Sequence, residues 1–173
     1  MKLSNRQSIR LQNYDYSASG YYFVTICTHR MNTWFGEIMD AQIHLSDVGQ
    51  FARQCWLNIP QHYPSVELDQ WIIMPNHIHG IIIIKNDQNF VGAQNFVPLQ
   101  NKYQSIIPRS LGCIIRGFKI GVAKWSHANG HSHFRWQRNY YDHIIRNEKS
   151  LHQIRHYIIH NPAEWKIDEY HSN

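Results

Sequence analysis

The sequence has few cysteines and none that pair. Its three, Cys27, Cys55 and Cys113, are odd in number, widely spaced and form no CxxC motif. That excludes a disulfide scaffold and a cysteine zinc site, and fits a reducing, cytoplasmic setting. Long apolar runs are also missing. The longest aliphatic stretch, Ile81 to Ile84, is far too short to span a bilayer, so no membrane partner is expected. Met1 to Arg10 is polar and lacks the apolar core of a signal peptide. Glycine is not arranged for phosphates: Gly112 and Gly117 complete neither GxGxxG nor GxxxxGK[ST], so no nucleotide cofactor is expected. No GxSxG elbow occurs. Charged residues are sparse at 17% against 43% hydrophobic, the balance of a globular chain rather than a disordered one.

What is abundant is aromatic and basic. The 173 residues carry 6 Trp, 10 Tyr and 13 His, with a formal charge of +5. The charge permits a polyanionic partner, and flat rings can stack on unpaired bases or fill a core. The length suits one domain over residues 1–173. A polar arm (about 1–18) leads into it, and an amide-rich stretch without period, Asn86 to Pro108, reads as a long loop.

Tyr21–Thr28, Val66–Met74 and His77–Ile84 read as strands, the last buried on both faces, with Pro75-Asn76 as a turn. Trp34–Leu45 fits a hairpin. Ser46 caps a helix over Asp47–Ile59, a second helix covers Ser110–His127, and Asn147 caps a third over Glu148–His160 with Pro162 beyond its end. Phe134–Ile145 reads as extended. Strand, helix, strand, strand, helix, strand, helix predicts an α+β, ferredoxin-like sandwich with helices against an antiparallel sheet.

The chemistry concentrates in His77-Ile78-His79. Residues two apart on a strand point to one face, so the two imidazoles can share a divalent metal while Ile78 enters the core. With 13 His, chance yields roughly one such pattern. A second, His131-Ser132-His133, lies among Gly, Ser and Asn in a loop-like context, whereas His77 and His79 sit on a buried strand after a turn. On the last helix Leu151, Ile154, Ile158 and Trp165 share the core face. Tyr157 borders that stripe, with Asn161 one turn above it. A tyrosine there is either an amphipathic packing residue or a nucleophile beside a metal-bound electrophile. Pro162 disfavours α geometry at Asn161. In the WQRNYYDH segment, cations interleave with aromatics in a way that suits single-stranded nucleic acid or a protected edge strand. It also supplies Asp142 and His143 as possible ligands. Arg116 and Lys119 lie one turn apart on the second helix and are candidate phosphate contacts.

Four stretches, IRLQNYDYSASGYYFVTICTHR, WIIMPNHIHGIIII, WQRNYYDHIIRNE and IRHYIIHNPAEW, run in this order from about Ser8 to Trp165. Together they resemble the REP-associated tyrosine transposases, a branch of the single-tyrosine, HUH-type (IS200-like) family. The resemblance implies a ferredoxin-like domain that nicks and rejoins single-stranded DNA through a 5′-phosphotyrosine, on hairpin-containing repeats. It implies His77 and His79 as ligands of Mg²⁺ or Mn²⁺, Tyr157 as nucleophile, and Asn161 where relatives carry a glutamine ligand. Tyr140 and Tyr141 are rival nucleophiles on a strand-like segment. Arg6, Arg10, Arg138 and Arg146, with Arg116 and Lys119, are the expected DNA contacts. A homodimer is possible, since insertion-sequence relatives exchange their tyrosine helices while REP-associated ones can act as monomers. The alternative is a domesticated, inactive hairpin binder.

Overall fold

A computed structural model describes residue 11, residues 14–86, residues 107–168 and residue 170. Most of the polar arm, with Arg6 and Arg10, and most of the amide-rich loop lie outside the described residues.

Among the described residues four strands form the main sheet: β1 (Gly20–Cys27), β4 (Val66–Ile73), β5 (His77–Ile84) and β6 (Tyr141–Ile145). Their spatial order is β4-β5-β1-β6, and every neighbouring pair is antiparallel. Helix α1 (Asp47–Leu57) lies in the chain between β1 and β4, and α3 (Leu111–Ala128) between β5 and β6. This is the expected βαββαβ arrangement. The last helix, α4 (Glu148–His160), follows β6. The expected hairpin forms as β2 (Gly36–Met39) and β3 (Gln42–Leu45), a separate two-stranded sheet.

The cap residues act as their chemistry requires. Ser46 accepts from the Gly49 backbone N–H, Ser110 from Cys113 and Asn147 from Ser150. Three local expectations are corrected. The first helix stops at Leu57, and a four-residue helix α2 (Ile59–His62) follows, because Pro60 cannot donate into a continuing helix. The extended stretch from Phe134 condenses to β6, with one bridge between Thr28 and Trp136 before it. Trp165 is buried but belongs to a separate 3₁₀ turn over Trp165–Ile167 rather than to α4.

Strand alternation divides the core in two. Tyr22, Val24 and Ile26 of β1, with Ile78 and Ile82 of β5, pack against α1 and α3. Phe23, Ile81 and Ile145 point the other way, where Leu151 and Ile158 of α4 cover them. Gly80 is needed on the first face: a Cβ there would lie 2.3 Å from Cζ2 of the fully buried Trp56. The short turn at Pro75-Asn76 then delivers His77 and His79 to the second face, beside Thr25 of β1.

Candidate active site

His77 and His79 are fully buried and converge. Their Nε2 atoms lie 2.9 Å apart. The tautomer of His77 follows from its neighbour. Asn76 uses its amide nitrogen on the backbone oxygens of Met31 (3.1 Å) and Tyr170 (2.8 Å). Its Oδ1 therefore faces His77 Nδ1, at 2.8 Å, and can only accept. The proton of neutral His77 is on Nδ1, and the Nε2 lone pair points into the site. A hydrogen bond of 2.9 Å joins the Thr25 hydroxyl and His79 Nδ1. A hydroxyl can serve either tautomer there, so His79 is free to turn its Nε2 lone pair inward as well.

Burial sets the charge state of both rings. Desolvation lowers His77 to about 3. It also holds His79 well below the ordinary imidazole value, with repulsion from His77 adding to the effect and the Asp168 charge opposing it. Both are neutral, the form a metal needs.

Tyr157 and Asn161 arrive from α4. The Tyr157 hydroxyl is 3.1 Å from His79 Nε2 and 3.5 Å from Asp168 Oδ2. Asn161 keeps right-handed helical geometry (φ −53°, ψ −40°) in spite of Pro162, so it does stand one turn above Tyr157. Its Nδ2 donates to Asp168 Oδ2 at 2.7 Å, while its Oδ1 is buried with no hydrogen-bond partner among the described residues.

Asp168 is the residue that sequence reasoning missed. The 3₁₀ turn after α4 carries it back over the sheet, where it forms with His77 and His79 a cluster whose ligand atoms lie within 4.8 Å of one another. Two imidazoles and a carboxylate are a common donor set for a divalent transition metal. A 2.9 Å separation is near that of two nitrogens each about 2.1 Å from one shared ion. The unpartnered Asn161 Oδ1 is a further oxygen donor at hand. The residues present thus fit a divalent cation. A cleft of about 560 Å³ opens beside them, lined by Phe23, His79, Tyr141, Tyr157, Glu164 and Asp168 among others.

The expected DNA contacts scatter. Arg138 and Arg146 are exposed just before and just after β6. Arg116 is exposed on α3, which packs on the sheet face away from the cleft. Lys119 is committed to its own chain: its Nζ donates to the Gln137 and Asn139 carbonyls and lies over the Trp136 ring, and burial pushes its pKa down to about 8. Tyr140 and Tyr141 are on the β6 segment, and Tyr141 lines the cleft. His131 stacks near Trp125, where a second cleft lies among α1 and α3 residues, and takes no part in this site.

No family model matches the chain. An uncharacterised protein of Haemophilus influenzae is 43% identical over 171 residues, covering 96% of this chain and 93% of its own. A second H. influenzae protein, named a REP-associated tyrosine transposase, is 26% identical over 157 residues, covering 89% of this chain and 77% of its own. Among solved structures, one of a REP-associated tyrosine transposase bound to a REP hairpin shares the fold. It superposes with a TM-score of 0.58 at 20% identity, over 90% of this chain and 73% of that one. Among the described residues, no helix is long and apolar enough to cross a membrane.

Proposed function

We propose that the chain, similar to a named REP-associated tyrosine transposase and to the solved fold of another, is a member of that family: a metal-dependent single-stranded DNA endonuclease and strand transferase, with Tyr157 as nucleophile. The observation that carries this reading is the meeting of the Tyr157 hydroxyl, at 3.1 Å, with His79 of a buried, neutral histidine pair. A packing tyrosine at the border of a helix has no need of that position.

His77, His79 and Asp168 would hold the divalent ion, with Asn161 Oδ1 as a fourth donor. Mixed nitrogen and oxygen donors favour Mn²⁺ over Mg²⁺, which prefers oxygen and water. When bound, the ion polarises the scissile phosphate and neutralises its charge. The chain's own residues do the rest. Tyr157 presents its oxygen to phosphorus from a helix fixed against the sheet. Asp168 Oδ2, 3.5 Å away, takes the phenolic proton as the O–P bond forms. The bond from phosphorus to the 3′ oxygen breaks, and that oxygen leaves as a 3′-hydroxyl, taking a proton from solvent. The product is a 5′-phosphotyrosine. A second 3′-hydroxyl reverses the step on a new end, and no ATP is needed, because one phosphodiester is exchanged for another.

The test is incubation with labelled hairpin-bearing single-stranded DNA and Mn²⁺, followed by denaturing electrophoresis. A covalent protein–DNA band that disappears in Tyr157→Phe and in His77→Ala supports the reading. Hairpin binding without a band in the unaltered protein points instead to an inactive binder. Cleavage that persists in Tyr157→Phe contradicts the nucleophile assignment.

A further inference from the structure

The strand that borders the cleft carries a feature that the reaction above does not use. Among the described residues β6 is an edge strand, and its alternation places Tyr141, His143 and Ile145 on the cleft side, opposite Thr25, Phe23 and Tyr21 of β1. Ile145 is buried under α4, but His143 is exposed and Tyr141 is 49% exposed. The helix therefore covers only part of this face and leaves the aromatic end open. Edge strands are ordinarily blunted with lysine, proline or charge. Here an aromatic ring stands at the rim of the cleft.

That ring is joined to the reacting group through one residue. Phe23 meets Tyr141 at 6.4 Å between ring centroids and Tyr157 at 6.3 Å, edge-on in both cases. Tyr141 is thus one ring removed from the nucleophile, on the open side. Its position is also fixed in advance. Lys119 holds the carbonyls of Gln137 and Asn139, the Trp136 indole donates to the Lys119 carbonyl at 2.9 Å, and the Gln137 N–H donates to Cys27 O at 2.9 Å. This ties the turn that feeds β6 to both α3 and β1. A surface held rigid before binding loses little freedom when a ligand arrives. The exposed cations Arg138 and Arg146 flank the strand in sequence and complement a phosphate chain.

We propose that the open face of β6, led by Tyr141 with His143 beyond it, is the stacking surface for unpaired DNA bases next to the scissile phosphate. The inference rests on the reading of the cleft as a site for single-stranded DNA, and it names how the strand is seated there. A base on Tyr141 brings its neighbouring phosphate to the mouth of the cleft that Tyr157 lines. Stacking accepts any base, so Tyr141 contributes affinity and placement, and sequence choice lies with other contacts.

The test measures binding of a short, fluorescein-labelled single-stranded DNA of mixed sequence, in the Tyr157→Phe background so that no strand is captured. Tyr141→Ala is expected to weaken binding about tenfold or more, within the range of one lost aromatic stack. Its dependence on salt stays unchanged. Tyr141→Trp and Tyr141→Phe keep the affinity, and the half-exposed position leaves the fold intact in all three. Arg146→Ala shows the complementary signature, a salt dependence shallower by about 0.7 in the log–log slope. Equal affinity for Tyr141→Ala and its parent overturns the proposal. So does an effect that Tyr141→Trp fails to rescue, or a concentration-dependent self-association lost in Tyr141→Ala, which would make β6 a pairing edge for a second copy. The two readings separate in the protein that retains Tyr157. A covalent adduct together with unchanged binding in Tyr141→Ala removes the stacking surface and leaves the transferase. No adduct, with binding lost in Tyr141→Ala and regained in Tyr141→Trp, keeps the surface and removes the transferase.

Discussion

Arg155 grips Asp69 with two nitrogens: Nε lies 3.1 Å from each carboxylate oxygen and a terminal nitrogen 2.6 Å from Oδ2. The pair joins α4 to β4 two residues before Tyr157. At about 100° per residue, Arg155 and Tyr157 fall on opposite flanks of the apolar stripe formed by Leu151, Ile154 and Ile158. The stripe sets how deep the helix sits, and the ion pair sets its roll, hence where the tyrosine hydroxyl lands. Asp69 is placed for this by an irregularity in β4 between Leu68 and Trp71.

Arg155→Leu is therefore expected to slow adduct formation by about ten- to a hundredfold, since a misplacement of about 1 Å can cost that much. Hairpin binding changes little, while stability falls by about 1–3 kcal/mol, because Arg155 is a third exposed (34%) but Asp69, at 11%, is left largely buried without its cation. Single-turnover rates measured beside binding affinity check the split. An equal loss in both would assign Arg155 to DNA contact instead.

Asn76→Ala removes the acceptor that fixes the His77 tautomer. The expected result is a Mn²⁺ affinity lower by about 10- to 100-fold, read by calorimetry without DNA. Asn76→Asp retains an acceptor on that side and should recover part of the loss. Unchanged Mn²⁺ binding in Asn76→Ala would remove Asn76 from the metal's support.

Asp168→Ala should weaken Mn²⁺ binding more than Asn161→Ala does. Asp168 brings the only charge in the cluster with His77 and His79, whereas Asn161 brings a neutral oxygen and a hydrogen bond that orients Asp168. Both variants are compared by Mn²⁺ titration. The reverse ranking would make Asn161 the principal third ligand.

This is also where sequence reading reached its limit. The HxH pair was legible because strand alternation is strict. Tyr157 and the place of Asn161 were legible because helical spacing is. Asp168 follows a 3₁₀ turn with no periodicity, and only the path of the chain back over β5 brings it to the histidines. Asn76 showed only as a turn residue, since nothing in its identity reveals which group its side chain accepts from. Lys119 looked like a surface cation because two carbonyls from β6's approach, remote in sequence, are what occupy it. The antiparallel sheet with helices packed on it followed from pattern, whereas the placing of α4 on the face opposite α1 and α3 is seen only in the structure. The stop after Leu57 and the late start of β6 depended on Pro60 and on the tertiary bridge at Trp136.

In metal-free protein, acid should destabilise the fold earlier than its carboxylates alone would cause. His77 and His79 have folded pKa values below the unfolded value of about 6.5, with His77 near 3. Below about pH 6.5 the unfolded chain binds protons that the folded chain refuses, so their contribution is present above that pH and is lost as the pH falls, for His77 on the way down to about 3. Each histidine contributes a slope of up to about 1.4 kcal/mol per pH unit in that window. Urea unfolding in chelator from pH 7.5 to 5 measures it. His77→Gln is expected to flatten the profile, and an identical profile in that variant would place the acid sensitivity elsewhere.

In the proposed reaction one tyrosine, Tyr157, takes the DNA strand. The most direct measurement is mass spectrometry of peptides from the covalent complex formed with hairpin single-stranded DNA and Mn²⁺. A nucleotide 5′-phosphate is expected on the peptide containing Tyr157, on its phenolic oxygen, and no complex when a chelator is present. A nucleotide found on Tyr140, Tyr141 or Tyr170, or cleaved DNA with no protein-linked nucleotide at all, would contradict it.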